Sequence, residues 1–456
     1  MSLPRYPEYK DSGVAWLGEV PAHWATPPLY LRYRVELGKM LDSAKMSGEN
    51  LVPYLRNVDV QWNRINFDEL PSMDITEGEV ERYTVREGDL LVCEGGEVGR
   101  AAIVPSINEV IGFQKALHRL RALANDEHPG FMQYMLTAAA SRGVFSTGGL
   151  STIAHLTGEQ LRKYRFAKPS LAEQTAIAFF LDCETAKIDG LVAEQEKLLS
   201  LLAEKRQAAI SHTVTKGLNP DAPMKDSGVK WLGEVPAHWD VLRIKHLVAS
   251  LEQGWSPQCE GFPVQSEGEW GVLKVGCVNG GVFRPEENKT LPPELEPLPE
   301  LGLASGDLLI SRANTRELVG SAAVALRDYP KLMLCDKLYR LRLRPDTCAP
   351  VFLALYLCIP GVRGQIELSA TGASSSMLNI GQATILELGV VVPPLSEQAA
   401  IISFLDAETA RLDALTVEAR RAIDLLKDRR TALISAAVTG KVDVRSALQQ
   451  QEASHA

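Results

Sequence analysis

The strongest constraint on the fold of this chain is that it carries the same sequence twice. DSGVAWLGEVPAHW, residues 11–24, agrees at thirteen of fourteen positions with DSGVKWLGEVPAHW, residues 226–239. A second pair, LAEQTAIAFFLDCETAKID at 171–189 and LSEQAAIISFLDAETARLD at 395–413, agrees at twelve of nineteen positions. A period above two hundred residues is far too long for a solenoid. The chain is therefore predicted to be a tandem duplication of whole domains.

Shorter motifs recur between these anchors in the same order. They are GDLL at Gly88 and Gly306, HRLR at His118 against YRLR at Tyr339, and TGGLSTIAHL at Thr147 against TGASSSMLNI at Thr371. Alternating apolar residues predict strands in DLLVCEGG, DLLISRAN, HRLRAL and YRLRLRP, whereas FMQYMLTAAAS and VFLALYLC are typical of helices. Each copy is thus predicted to be a mixed α and β domain.

Each copy ends in a long predicted helix. Positions spaced alternately three and four apart form a mostly apolar seam, which we place at Leu181, Glu184, Ile188, Leu191, Gln195, Leu198, Leu202, Lys205 and Ala209, and at Leu405, Glu408, Leu412, Leu415, Ala419, Ala422, Leu426, Arg429 and Leu433. Ser170 and Glu173 have capping-box spacing, and KGLNP from Lys216 ends the first helix. Roughly 40 residues span about 60 Å at 1.5 Å per residue. Such helices can bury their seams against each other or a partner's helices; the alternative is an amphipathic helix packed on its own domain.

Composition sets the broad class of protein. A chain of 456 residues with 45% hydrophobic and 23% charged residues is typical of two or three globular domains. The start MSLPRYPEYK lacks the apolar core of a signal peptide, and the longest apolar run, VFLALYLCIPGV, is interrupted by Pro360 and Gly361. Seven cysteines without a CxxC pair favour buried thiols in a reducing cytoplasm and give no support to a metal site.

Sequence motifs for catalysis are missing. We find no NPPY-like tetrapeptide or FxGxG loop of a methyltransferase, and no GxxxxGK[ST] phosphate loop. The Pro-Asp pairs at Pro220 and Pro345 lack the spaced acidic partner of a nuclease site. His23 and His238, which recur with the repeat, are interpreted as structural. The chain is predicted to be non-catalytic.

Together, the duplicated SGVxWLGEVPxHW segment, the GDLL strand, the TGxSS loop and the PPLxEQxxI run into a long helix resemble the specificity subunit of type I restriction-modification systems. The resemblance extends from Tyr6 to about Val444, and VVPPLSEQAAIISFLD is its most specific part; the first copy departs from it in reading FAKPSLAEQTAIAFFLD. It implies an α+β fold with two mixed α/β target recognition domains related by pseudo-twofold symmetry and joined by two long antiparallel helices forming a coiled coil. The implied boundaries are 1–170 and 218–394 for the recognition domains, 171–217 and 395–445 for the spacer helices, and 446–456 for a tail.

The resemblance also implies a function without catalysis. Each recognition domain would read one half of a bipartite target in double-stranded DNA, and the helices would set the spacer between the halves. Expected partners are two modification subunits, which bind S-adenosylmethionine and methylate adenine, and restriction subunits driven by ATP and Mg²⁺. No cofactor is expected on this chain, and no membrane.

The net charge of −9 is unusual for a protein that binds DNA alone. Residues 171–217 carry −2 and residues 395–445 carry zero, so most of the acidity lies in the reader segments. We infer that this chain supplies base contacts while the partner subunits neutralise much of the phosphate charge. Donor and acceptor side chains that match base edges are predicted at Arg56, Asn57, Gln61, Asn63, Arg64, Ser151 and His155, and at Lys274, Asn279, Arg312, Asn314, Arg316, Ser375 and Asn379.

Two other functions stay open on the sequence. One is a coiled-coil scaffold whose paired domains bind protein. The other is a self-contained enzyme with an unrecognised site, since the members of a catalytic triad need not be near in sequence.

Overall fold

The computed structural model describes residues 3–41, 48–146, 155–374 and 377–445. Its chain separates into two compact units. Unit 1 comprises the described residues of Met1–Glu196 and Arg421–Ala456, and unit 2 comprises those of Lys197–Arg420. Each unit therefore contains one copy of the duplicated domain and one part of each of the two long helices.

Unit 1 is built on a four-stranded antiparallel sheet in the order β3-β11-β8-β9, with a three-stranded sheet β10-β4-β7 and the pairs β1-β2 and β5-β6 beside it. Its strands are β1 (Tyr9–Asp11), β2 (Glu19–Pro21), β3 (Tyr33–Leu37), β4 (Leu51–Leu55), β5 (Val60–Gln61), β6 (Arg64–Ile65), β7 (Ser72–Asp74), β8 (Leu90–Cys93), β9 (Ala101–Ile103), β10 (Gly112–Phe113) and β11 (Leu117–Ala122). Its helices are α1 (Val80–Tyr83), α2 (Pro129–Ser141), α3 (Gly158–Lys163) and the first part of α4 (Leu171–Lys216).

Unit 2 repeats this plan with the antiparallel sheet β15-β23-β19-β21 and adds the sheets β17-β16-β22-β18, β20-β25-β24, β14-β26 and β12-β13. Its strands are β12 (Met224–Asp226), β13 (Glu234–Pro236), β14 (Asp240–Arg243), β15 (Val248–Gln253), β16 (Gly271–Leu273), β17 (Asn288–Thr290), β18 (Gly302–Leu303), β19 (Leu308–Ser311), β20 (Ala313–Asn314), β21 (Ala322–Val324), β22 (Tyr329–Met333), β23 (Leu338–Leu343), β24 (Thr371–Ser374), β25 (Met377–Asn379) and β26 (Gly389–Val392). Its helices are α5 (Pro350–Leu357), α6 (Pro360–Ser369), α7 (Gln382–Leu386) and the first part of α8 (Leu395–Val438).

The strands and helices predicted from the recurring motifs are all present. DLLVCEGG and DLLISRAN contain β8 and β19, the two arginine-rich motifs contain β11 and β23, and the two apolar segments contain α2 and α5. The buried GDLL aspartates explain why the motifs recur together. Asp89 accepts from Arg121 at 2.7 and 2.8 Å, and Asp307 accepts from Arg342 at 2.8 Å, so each GDLL strand is tied to its arginine-rich neighbour.

Within each unit, the duplicated turn (11–24 or 226–239) contacts the duplicated start of the long helix (171–189 or 395–413). Trp24 is fully buried and donates its indole N–H to Glu173 at 3.3 Å, while His23 lies 2.8 Å from the same carboxylate. In unit 2, Trp239 donates to Glu397 at 2.9 Å, and His238 lies 2.6 Å from it. The histidines, predicted to be structural, thus pair with a carboxylate at the start of α4 or α8.

The glutamine that follows each of these glutamates is completely buried. Gln174 donates to the carbonyls of Pro169 and Asp126 and accepts from the N–H of His128 at 2.9 Å. Gln398 likewise donates to Pro393 and Thr347 and accepts from Ala349 at 2.7 Å. Each Glu-Gln pair therefore joins the start of a long helix to the duplicated turn and to the loop that precedes α2 or α5.

Each duplicated turn packs against the end of the long helix from the other copy. In unit 1, the hydroxyl of Tyr9 donates to the carbonyl of Gly440 at 3.0 Å, and Lys441 donates to the carbonyl of Glu19 at 2.7 Å. In unit 2, Lys216 donates to the carbonyl of Glu234. The start of α4 and the end of α8 thus share one unit, and the start of α8 and the end of α4 share the other, as two helices running in opposite directions require.

The two helices pack together as predicted, but several seam positions were wrong. Leu191, Leu198 and Leu415 are exposed by 46%, 39% and 44%. The more buried positions lie one residue later, at Val192, Leu199 and Thr416. Spacings of three-then-four and four-then-three fit the same leucine-rich sequence, and contact with the other helix decides between them. Ion pairs also join the two helices, between Arg430 and Asp189 in unit 1 and between Lys205 and Glu408 in unit 2.

The capping box predicted at the start of α4 forms. The hydroxyl of Ser170 lies 2.9 Å from a carboxylate oxygen of Glu173, and the N–H of Glu173 donates back to that hydroxyl at 3.4 Å. Within the described ranges no single helix has the length and apolarity to cross a membrane. In this part of the chain, only α5 and α6 taken together, with a bend of 72° between them, are long and apolar enough, and this rests on length and composition alone.

Candidate DNA-recognition sites

In unit 1, three segments meet beyond the end of β8. They are Arg56–Asn57, the loop 94–99 and His155, and we call them site 1. Asn57 donates its amide to the carbonyl of Gly95 at 3.0 Å, and the His155 ring lies 3.5 Å from where a Cβ on Gly95 would be. The His155 ring therefore lies in van der Waals range of this loop. The loop begins directly after a fully buried strand, which fixes its position.

In unit 2, the corresponding segments meet beyond the end of β19. Site 2 consists of residues 274–279, 312–316 and Asn379. Asn314 donates to the side-chain oxygen of Asn279 at 3.3 Å, and β20, which carries Asn314, pairs with β25, where Asn379 lies opposite Ala313. Sites 1 and 2 thus occupy the same place in their own sheets and carry different side chains.

The predicted DNA-binding residues differ in how many of their polar atoms are already hydrogen-bonded within the protein. Both amide atoms of Asn57 are bonded internally, because Arg100 donates to its oxygen at 2.9 Å. Arg56 makes two 2.8 Å bonds to the buried Asp59. Asn314 bonds to Asn279 and accepts from the N–H of Thr315. These groups shape the sites as well as line them.

The remaining predicted residues are more accessible. Arg64 and Arg316 are exposed, Lys274 is half-buried, and in the described part of the chain none of the three side chains makes an ion pair or hydrogen bond. Arg312 donates to the carbonyl of Asp336 at 3.3 Å and remains half-exposed. Ser151 and Ser375 lie outside the described residues.

Gln61, Asn63 and Arg64 lie together on the hairpin β5–β6 rather than in site 1 itself. Asn63 occupies the turn with φ of 59°, a left-handed conformation that asparagine tolerates better than most residues. The hairpin contacts the loop of site 1 where Trp62 donates to Glu97. It therefore extends the edge of that site.

Electrostatics around Arg56 keep its partner ionised. Burial raises the pKa of Asp59, but the hydrogen bonds from Arg56 outweigh burial and hold that pKa below its ordinary value. The same hydrogen bond raises the pKa of Arg56. The pair is therefore charged at neutral pH and defines one side of site 1.

Sequence reasoning missed several polar residues near the sites. Glu94 and Glu97 lie in the loop of site 1, and a carboxylate can accept from the amino group of cytosine. Lys115 and Lys337 lie in the turns before β11 and β23, and the carbonyl of Lys337 accepts from the backbone N–H of Arg312 at 2.8 Å. Their position directly before the recurring arginine-rich motifs was the available signal.

Nothing in the described residues forms a group of three or more His, Cys, Asp or Glu side chains able to hold a metal. Cys93, Cys277, Cys335 and Cys348 are buried free thiols, and burial raises the pKa of each. They are protonated at neutral pH and pack as small apolar groups.

Two α/β units with matching sites and a shared pair of long helices define the architecture of a two-part recognition protein. The profile of the type I restriction modification DNA specificity domain matches residues 35–198. The chain is 30% identical over 210 residues to the type I restriction enzyme EcoEI specificity subunit of Escherichia coli; the match covers 46% of this chain and 35% of that relative. The chain thus spans only about a third of the length of this relative.

Solved structures share the fold over nearly the whole chain. A chain from a structure of a type I restriction-modification system aligns with a TM-score of 0.68 at 16% identity, covering 92% of this chain and 98% of that one. The HsdS subunit from Thermoanaerobacter tengcongensis aligns with a TM-score of 0.54 at 17% identity, covering 93% and 98%. Residues 35–198 thus carry a type I restriction modification DNA specificity domain, and the chain as a whole shares its fold with subunits of these systems.

Proposed function

We propose that this chain gives a type I restriction-modification complex its DNA sequence specificity, with site 1 and site 2 each reading one half of a bipartite target. The observation that carries the proposal is the contrast between repeated and divergent residues. The repeated motifs bind one another inside each unit, as in Trp24–Glu173 and Asp89–Arg121, whereas the sites they support carry unlike side chains. A shared scaffold with two different readers suits recognition of two unlike sequences.

The base contacts are proposed to come from the predicted residues in and beside the two sites, with Arg64, Lys274 and Arg316 the most available to DNA. An arginine or lysine donor on an exposed loop matches the acceptors of guanine in the major groove. Asn279 and Asn379 bring amide groups suited to adenine. Ser151 and Ser375 remain part of this proposal.

The domain boundaries expected from the sequence are proposed as functional divisions. Residues 1–170 and 218–394 are the readers, 171–217 and 395–445 the spacer helices, and 446–456 the tail. The spacer helices would fix the number of unread base pairs between the two halves.

Partners supply the chemistry and part of the affinity. Two modification subunits would bind S-adenosylmethionine and transfer its methyl group to adenine, and restriction subunits would use ATP and Mg²⁺, all in the cytoplasm. Exposed apolar side chains on both long helices offer a contact surface for such partners, among them Phe179, Leu191, Phe404 and Leu425. Because the chain carries a net charge of −9, the partners would also neutralise phosphates.

The test is a methylome of cells with and without this chain. Loss of one bipartite adenine-methylated motif supports the proposal and gives the target. Unchanged methylation, with the chain co-purifying without a methyltransferase, would favour the coiled-coil scaffold instead. Methylation by the purified chain alone would show a self-contained enzyme.

Modularity provides a second test. Replacing Lys225–Leu388 by the equivalent segment of a related chain should change one half of the recognised sequence and preserve the other. A change in both halves would contradict the assignment of one half to each unit.

A further inference from the structure

Each site adjoins one residue whose backbone is held on both sides. Leu156, which follows His155, donates its N–H to the carbonyl of Glu94 at 2.8 Å, and its own carbonyl lies 2.7 Å from Nε2 of His118. Ile380, which follows Asn379, does the same in unit 2. Its N–H donates to the carbonyl of Arg312 at 3.0 Å, and its carbonyl accepts from the hydroxyl of Tyr339 at 3.0 Å.

His118 and Tyr339 open the recurring HRLR and YRLR motifs on β11 and β23. Both side chains are buried, with exposed fractions of 0% and 2%. Burial lowers the pKa of His118, so the ring is neutral and carries one N–H. Its Nδ1 is buried without a hydrogen-bond partner in the described residues, so the proton resides on Nε2, where the carbonyl of Leu156 can accept it. Two unlike side chains thus perform one task.

The anchored residue controls where its neighbour lies. Leu156 and Ile380 are themselves buried at 1% and 2% exposure, so the backbone on this side of His155 and Asn379 is fixed relative to the central sheet. The same residues are bonded to the first residue of the loop after β8 or β19. The anchor therefore sets the distance between two of the three segments that form each site.

We propose that His118 and Tyr339 are positioning residues for base recognition, His118 for the half of the target read by site 1 and Tyr339 for the half read by site 2. The inference rests on the proposed function. Neither side chain is accessible to DNA, so each acts through the segment it anchors. A misplacement of that segment should impair discrimination between bases in one half only.

Tyr339→Phe is the sharpest variant, because it removes one hydroxyl and leaves the carbonyl of Ile380 without its donor. The full chain is assembled with its modification subunits, and methylation rates are measured on the native target and on duplexes carrying one altered base pair in either half. We expect the ratio of correct to altered rates to fall about tenfold in one half, as loss of a buried hydrogen bond implies, and to stay unchanged in the other.

Tyr356→Phe is the matched control in the same unit. Tyr356 is also fully buried, and its hydroxyl donates to a backbone carbonyl, that of Gly389, at 3.1 Å. Tyr356→Phe should lower the melting temperature much as Tyr339→Phe does, without changing discrimination between bases in either half of the target. If the two variants change discrimination equally, the effect is one of stability and the inference is wrong.

In unit 1, His118→Leu and His118→Gln form the corresponding pair. Leucine removes the donor, whereas the glutamine amide can place an N–H close to where Nε2 lies. We expect His118→Leu to lose discrimination in the half that Tyr339→Phe leaves intact, and His118→Gln to recover most of it. Loss in both halves, or no loss with His118→Leu, would overturn the inference. Failure of the wild-type complex to methylate any bipartite site would instead refute the proposed function.

Discussion

Glu173→Ala tests whether the contact between the duplicated turn and the start of α4 stabilises unit 1. The Glu173 side chain is 9% exposed and accepts from Trp24, His23 and Ser170. Burial raises the pKa of Glu173, but these hydrogen bonds outweigh burial and hold the pKa below its ordinary value. The carboxylate is therefore charged, and its hydrogen bonds are stronger than those between neutral groups.

The expected loss follows from what the alanine would leave behind. The buried indole N–H of Trp24 would lose its acceptor, and α4 would lose its capping box. A bond to a charged group contributes about 1.5–3 kcal/mol and a cap about 1 kcal/mol, so we expect unit 1 to lose about 3 kcal/mol. Glu397 has a side chain exposed by 41%, so water can replace part of its role. For Glu397→Ala we expect about 1–2 kcal/mol, from the indole bond of Trp239.

Native-state hydrogen exchange is the suitable assay, since a chain of two units need not unfold in one step. The free energies of opening are compared for amides near the start of α4 and near the start of α8. Glu159→Ala, which removes an exposed partner of Lys163, serves as a control without measurable loss. A loss below about 1 kcal/mol for Glu173→Ala, or equal losses for Glu173→Ala and Glu397→Ala, would refute the reasoning.

Four further outcomes are expected. Gly440 and Gly13 both have φ near +70°, but a Cβ on Gly440 would lie 2.3 Å from Pro21 whereas one on Gly13 meets open space; Gly440→Ala should therefore lower the melting temperature well beyond Gly13→Ala. Arg121→Leu removes the charged partner of the buried Asp89 and should lower the free energy of unfolding by about 3–5 kcal/mol. Arg342→Leu should lower it less, because Asp307 retains Arg340 at 3.6 Å; equal losses in urea unfolding would argue against this. Burial lowers the pKa of His118, so the stability that the neutral ring contributes is present above the unfolded pKa of 6.5 and is lost as the pH falls below it. In thermal melts, wild type should therefore lose more stability than His118→Gln between pH 7 and 5. Inserting four residues after Leu202 lengthens α4 by about 6 Å, and on the proposed function the methylated motif should keep both halves while its spacer grows by about one to two base pairs; an unchanged spacer with full activity would exclude the helices as the ruler.

Much of the architecture was determined by sequence that acts locally. The duplication follows from the repeated segments themselves. The strands of the GDLL and arginine-rich motifs and the long helices follow from hydrophobic periodicity and from turn-forming glycines and prolines. The capping box at Ser170 and Glu173 needs only neighbouring residues, so its spacing alone was sufficient to predict it.

The sites depended on contacts that no local pattern contains. Nothing in the sequence around Asn57 indicates that Arg100 and Gly95 occupy its amide, or that His118 and Tyr339, unlike in chemistry, both bind the backbone beside a site. The helix seam was misplaced at Leu191, Leu198 and Leu415 for a related reason: leucines at either spacing satisfy the periodicity, and only the opposing helix selects the buried set. Tertiary packing also decided that the N-terminal turn closes on Gly440, because a contact across 431 residues leaves no trace in the composition of either segment.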